Sequence, residues 1–280
     1  MIKLLHAEFS RLIKNKLFWL GLLVMVAVPL YAVGVRYYDY VIAPETAWET
    51  ADGLWFVGGI YMAVILSVFV SLFIGTEFAE GTIRNKLIVG HTRSTIYVSN
   101  LITCSAVALF YHLMYIAVLF GSGSLLLKSW ETPLHTLAIM TALSLTAVIA
   151  LSAIFTMLAM LIHSRSVGAV TAMLVAIVML LSAMTIFSRL NAREYLDNVF
   201  VRNDVGEYVK SDPISNPRFL TGFKREVYEH LLNLIPIGQM LQLGNLNYTT
   251  DMLYMPLYAA IVAVVCTVVG LVIFQKKDIR

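Results

Sequence analysis

The sequence predicts an all-α membrane protein with six transmembrane helices, on three observations. Hydrophobic residues make up 59% of the 280-residue chain and charged residues 13%, against roughly 25% charged in a soluble protein. The apolar residues gather into uninterrupted runs long enough to cross about 30 Å of hydrocarbon, which takes roughly 20 helical residues. Six such runs, at 17–35, 54–75, 99–127, 134–162, 167–188 and 252–274, contain no Asp, Glu, Lys or Arg.

Ahead of the first run lie Lys3, Arg11, Lys14 and Lys16. A cleaved signal peptide would be cut near Ala32 or Gly34, but the apolar run is longer than a signal h-region. Ile2, Leu5, Phe9, Leu12 and Ile13 share one helical face, with Lys3, Ser10, Arg11 and Lys14 away from it. Residues 1–16 therefore read as an amphipathic helix in the membrane interface, basic side toward the lipid headgroups, or as an extension of the first span.

In the second run Gly59, Ala63, Ser67, Ser71 and Gly75 recur every four residues. This stacks small side chains on one face and lets another helix or subunit approach closely. His112, flanked by Tyr111 and Tyr115, lies deep in the third run. It reads as a neutral histidine bonded to another helix, with contact to a polar substrate as the alternative. Cys104 and Cys266 both fall inside spans and supply neither a disulfide framework nor a four-ligand metal site. Gly121-Ser122-Gly123-Ser124 lacks the residue order of a nucleophile elbow.

The segment 189–251 is read as an extracellular loop. Asp212-Pro213, Asn216-Pro217 and Thr221-Gly222 are turn signals, followed by an apolar-periodic stretch through Phe223, Val227, Leu231, Leu234 and Ile235. The expectation is a short amphipathic helix on the outer leaflet, broken at Pro236 before the last span. A small solvated domain is the alternative for the part before Pro213. Asn247-Tyr248-Thr249 matches a glycosylation sequon, a triplet frequent by chance.

Orientation follows Lys and Arg in the short loops. With both termini in the cytoplasm, the inner segments hold eleven basic residues, and the outer loops 36–53 and 128–133 hold only Arg36 and Lys128. The 189–251 segment, with seven basic and eight acidic residues, is long enough to cross regardless of charge. No polar stretch is large enough to divide the chain, and 1–280 reads as one membrane domain without an internal repeat.

There is no glycine-rich loop ending in Lys-Ser or Lys-Thr, so the chain has no usual means of holding ATP phosphates. The spans hold no acid of the kind that ion-coupled transporters and aspartyl intramembrane proteases need. Basic residues outside the membrane-proximal segments form no nucleic-acid-binding stripe.

The informative segment runs from Gly75 as GTEFAEGTIRNKLIVGHTRSTIYVSN. Glu77 and Glu80 sit three apart, and Glu80 precedes Arg84 by four, a helical ion-pair spacing. With Phe78, Ile83, Leu87 and Ile88, residues 76–98 read as a cytoplasmic connection with a short helix across the bundle end. Such a helix can seat in a groove of a soluble partner and pass its rigid-body motion to the spans. An ordinary solvated loop is the reading composition alone would favour.

This segment resembles the signature of ABC-2 type transporter permeases, in which a Glu near the end of the second span is followed by Glu-Gly-Thr, a basic residue and a later Arg. Glu77, Glu80, Gly81, Thr82, Arg84 and Arg93 stand at the matching positions, with Lys86 between them. The basic N-terminal helix, Pro236 to Gln239 and the terminal Phe274-Gln275-Lys276-Lys277-Asp278 extend the similarity. Within the family it is similar to bacitracin-resistance and lantibiotic-immunity permeases. The resemblance implies two permease subunits, identical or related, in a bacterial inner membrane, bound to two copies of a separate ABC ATPase. ATP and Mg would sit on that ATPase and no cofactor or metal on this chain. Glu77 to Arg93 would form the coupling helix, and an amphipathic peptide, antibiotic or lipid-like substrate would be exported. A polytopic membrane enzyme or sensor, or a secondary transporter, is the alternative.

Overall fold

The computed structural model describes residues 1–43, 50–127, 130–196, 200–202, 208–210, 213–246 and 250–277. It begins with α1 (Ile2–Lys14), separated from α2 (Lys16–Ile42) by Asn15. Asn15 takes an extended conformation, and its side chain accepts the Leu17 N–H at 2.8 Å, so one residue ends the first helix and caps the next. A 3₁₀ turn at Asp52–Leu54 leads into α3 (Gly58–Ala79), then α4 (Thr82–Ile88), α5 (Arg93–Leu126), α6 (Leu134–Leu161) and α7 (Arg165–Leu190). Thr92 caps α5 by accepting from the Thr95 N–H at 3.2 Å. Two antiparallel strand pairs follow: β1 (Tyr195–Leu196) with β4 (Ile214–Ser215), and β2 (Phe200–Arg202) with β3 (Tyr208–Lys210). Helices α8 (Gly222–Leu234) and α9 (Pro236–Leu243), a second 3₁₀ turn at Thr250–Tyr254 and α10 (Met255–Lys276) complete the chain.

Among the described residues six helical segments are long and apolar enough to cross a membrane, and the chain is an all-α multi-pass membrane protein. The spans run longer than the apolar runs that announce them. The 27-residue α2 continues past residue 35 through Arg36 and Asp39 to Ile42; at 1.5 Å per residue it reaches about 40 Å, so its end projects beyond the hydrocarbon. Among the spans α3 is the most buried and α7 and α10 the least. The small-residue stripe explains the central place of α3. Gly59, Ala63, Ser67, Ser71 and Gly75 are all buried within the chain, where a Cβ on Gly59 would lie 2.5 Å from Met240 of α9 and one on Gly75 3.0 Å from the Arg165 backbone at the start of α7. The close approach is therefore between helices of this chain.

Buried hydroxyls in the core return to their own helix carbonyls, Thr103 to Ser99 and Ser152 to Ile149, each at 2.9 Å. Ser105 and Ser152 also join α5 to α6 at 2.6 Å. Both termini of the described chain, α4, and the adjoining ends of α3, α5, α6 and α7 gather at one end of the bundle, here the terminal end.

Two expectations are corrected. On α1 the inward stripe is Leu4, Glu8 and Leu12, with Arg11 turned the same way, and Ile2 and Ile13 stand exposed. The short helix α8 does end just before Pro236, as expected, but a further helix intervenes before the last span. Pro236 occupies the first turn of α9, where its missing N–H leaves nothing unsatisfied, and α9 is buried against α6 and α7. The preceding α8 turns only Leu232 fully inward and leaves Phe223, Leu231 and Leu234 exposed. Asn247-Tyr248-Thr249 lies outside the described residues.

Candidate functional site

At the terminal end, the sequence motif folds into two different surfaces. Glu80 caps α3, and Gly81 follows in the left-handed region at φ 68°, a conformation glycine adopts without a Cβ penalty. The reversal starts α4 at Thr82 and so breaks helical continuity between Glu80 and Arg84. The i,i+4 spacing seen in the sequence does not lie within one helix. Ile83 faces the core, while Glu80, Arg84, Asn85, Ile88 and Val89 are exposed.

Inside this turn lies a buried ion cluster. Glu77, near the end of α3, is fully buried; one carboxylate oxygen accepts from Arg11 of α1 and from Lys86 of α4. The other accepts from Nδ2 of Asn100 on α5 at 3.0 Å. Lys86 also donates to Glu8, and Arg11 pairs with Glu8 at 2.9 Å. The Arg11 guanidinium lies 3.9 Å above the Phe73 ring. Two acids and two bases cancel, so four helices are pinned together without a net buried charge. Burial, and then the Glu77 carboxylate, hold the Glu8 carboxyl above the ordinary range. Glu77 lies two residues beyond the acid-free run 54–75, in the last turns of α3, and is neutralised by its partners.

Arg93 closes a second junction. Its guanidinium donates to the carbonyls of Phe274 at 3.1 Å and Gln275 at 3.0 Å, and to that of Lys277, satisfying the end of α10. Lys277 in turn donates to the carbonyls of Met160 and Leu161 at 2.9 and 2.8 Å, capping α6. Partial burial pushes the Lys277 ammonium down to about 8.

The three residues singled out in the third span are fully buried. Tyr111 donates to the Phe18 carbonyl, and Tyr115 to that of Leu54 at 2.8 Å. His112 Nε2 lies 2.8 Å from Ser144 Oγ, which itself donates to the Thr141 carbonyl at 2.6 Å. A proton on Nε2 completes both bonds, so the ring ties α5 to α6. Tyr115 also lines a groove at the protein surface.

Sequence reasoning missed Glu8 and Asn100 and placed Arg11 toward the headgroups. An acid on the inward stripe of an otherwise basic helix, four residues from Leu4 and Leu12, was the available signal.

Fold and site together define a multi-pass membrane protein in which a short helix at the terminal end is locked by an ion cluster to the N-terminal helix and to α3, with Asn100 tying in α5. The chain belongs to the ABC-2 family of transporter proteins, whose profile matches residues 4–182, and is accordingly the membrane subunit of a transporter. That match takes in every member of the ion cluster. No curated protein matches the chain.

Proposed function

We propose that this chain is the membrane half of an exporter, powered by a separate ABC ATPase that docks on α4. Association with such an ATPase is what membership of the family implies. One observation carries the choice of docking surface. The helix has two opposed sides, Ile83 and Lys86 anchored in the bundle and Arg84, Asn85, Ile88 and Val89 turned outward. A partner groove can hold the outward side while the inward side drags on α1, α3 and α5.

In this reading Glu80, Gly81, Thr82 and Arg84 meet the ATPase, and Glu77, Lys86 and Arg93 carry the motion inward. Arg93 delivers it to α10 through the carbonyls it caps. The terminal end faces the cytoplasm of a bacterial cell, as the basic residues gathered there favour. The assembly contains two ATPase copies, which hold ATP and Mg, and a second permease subunit, identical or related. The cargo is an amphipathic peptide, antibiotic or lipid-like molecule leaving the membrane or cytoplasm.

The test is copurification with an ATPase that has no spans of its own, followed by substrate-stimulated turnover in vesicles. Stimulation should vanish in Glu80→Arg or on deletion of residues 81–86; unchanged stimulation in both would overturn the docking surface. For cargo, deletion of the gene should raise susceptibility to at least one amphipathic drug or peptide, and no change across a broad panel would overturn export of that class.

A further inference from the structure

The end of the bundle opposite the termini carries a polar vestibule of about 780 Å³, lined among others by Arg36, Asp52, Glu131, Thr132, Thr136 and Asn245. It adjoins a mainly apolar groove of about 480 Å³ between α2 and α3, lined by Ala32, Val35, Leu54, Val57, Tyr61 and Tyr115. Arg36 lines both. Tyr31, Val35 and Tyr61 stand well exposed beside the groove, which therefore opens sideways, toward where lipid would lie.

Asp52 is the unusual member. It is only 3% exposed, and its Oδ2 accepts the backbone N–H groups of Glu131 and Thr132 at 2.9 and 2.8 Å. Its Oδ1, equally buried, has no hydrogen-bond partner among the described residues. A buried carboxylate oxygen without a donor is costly, and a ligand cation would relieve that cost. A primary ammonium suits this carboxylate oxygen, because it brings several N–H donors of its own and needs no ring of acids around it. Arg36, shared by the vestibule and the groove, interacts electrostatically with Asp52; its guanidinium donates to the Thr50 carbonyl, and its Nη2 would lie 3.3 Å from a Cβ placed on Gly53.

Along this surface the order is apolar groove, then guanidinium, then carboxylate. We propose that the site binds a zwitterionic amphiphile of the phosphatidylethanolamine class, its acyl chain in the groove, its phosphate at Arg36 and its primary ammonium at Asp52. An anionic headgroup would leave Asp52 Oδ1 without a hydrogen-bond donor, and a purely cationic amphiphile would meet Arg36 first. Guanidinium–phosphate and ammonium–carboxylate bonds are both charge-assisted. The proposal concerns binding by this chain alone and does not depend on how an ATPase docks.

The test uses the purified full chain, stripped of lipid and offered equal amounts of phosphatidylethanolamine, phosphatidylglycerol and phosphatidylcholine with identical acyl chains. Retention is read by native mass spectrometry. The wild type should keep the ethanolamine lipid about tenfold over the glycerol lipid, the worth of one charge-assisted hydrogen bond. The choline lipid, whose ammonium has no N–H, should fall between them. Asp52→Asn retains an oxygen for the Glu131 and Thr132 amides but answers the ammonium with a donor, and should abolish the preference. Val35→Trp, at an exposed position, should fill the groove and lower retention of all three. Equal retention of the ethanolamine and glycerol lipids by the wild type would overturn the proposal, as would a preference that survives Asp52→Asn in protein that remains folded.

Discussion

Arg11 of the first helix and Glu77 of the third, 66 residues apart, share a buried ion pair at the terminal end of the bundle. Because Lys86 joins the same carboxylate oxygen, the pair fixes α4 as well as α1 to α3. Removing Glu77 leaves Arg11 and Lys86 sharing the Glu8 carboxylate, an excess of positive charge in a largely buried site. Glu77→Ala should therefore cost about 3–5 kcal/mol, read as a large fall in melting temperature in detergent. A loss below about 1 kcal/mol, the range of surface pairs, would contradict the burial assigned to this cluster.

Glu8 gives the cluster a pH dependence. Its carboxyl is held above the ordinary value of 4.5, mainly by burial. The folded state thus prefers its protonated form, so Glu8's contribution to stability is full below about pH 4.5 and is lost as the pH rises through the raised value. The difference in melting temperature between wild type and Glu8→Gln should shift in favour of wild type as the pH falls from 7 toward 4.5. A difference independent of pH would show that Glu8 titrates normally.

Lys277 has the opposite sign. Burial lowers its ammonium from 10.5 to about 8, so the folded state prefers the neutral amine. Its stabilising contribution is present above about pH 10.5 and is lost as the pH falls through about 8. Isotope-labelled methylation of the lysines, followed by NMR titration, should reveal one resonance titrating near 8 that disappears in Lys277→Met. Uniformly high midpoints would refute the burial of this group.

Two glycines give a paired packing test. A Cβ on Gly238 would lie 2.4 Å from the Leu232 carbonyl oxygen, a backbone atom that cannot move without shifting α8. Gly238→Ala should destabilise by about 1–3 kcal/mol. Gly34, within α2, meets nothing within 4 Å of its added Cβ, and Gly34→Ala should stabilise by about 0.5–1 kcal/mol, the helix-propensity difference. Equal effects at the two sites would contradict the α8–α9 crossing.

His112 supplies the last test. Ser144→Ala removes the acceptor for the histidine's Nε2–H in a buried setting and should cost about 1–3 kcal/mol. Ser122→Ala, whose hydroxyl returns only to carbonyls of its own helix, should be close to neutral by the same melting measurement.

The sequence by itself determined the six spans, because crossing hydrocarbon demands uninterrupted apolar length, and length is written locally. It also marked the small-residue face from Gly59 to Gly75, a period-four pattern that any helix would display. It could not say which charges face inward. Glu77, Lys86 and Arg93 belong to one polar motif with Glu80 and Arg84, yet the first three are bound within the chain and the last two are exposed. That sorting depends on partners distant in sequence: Glu8 and Arg11 for the cluster, and the end of α10 for Arg93. Likewise only the fold brings Arg36 and Asp52 to one vestibule beside an apolar groove. Local period fixes which elements form; whether a charge is buried is decided by what the assembled helices place against it, since a buried ion persists only with a counter-ion in reach.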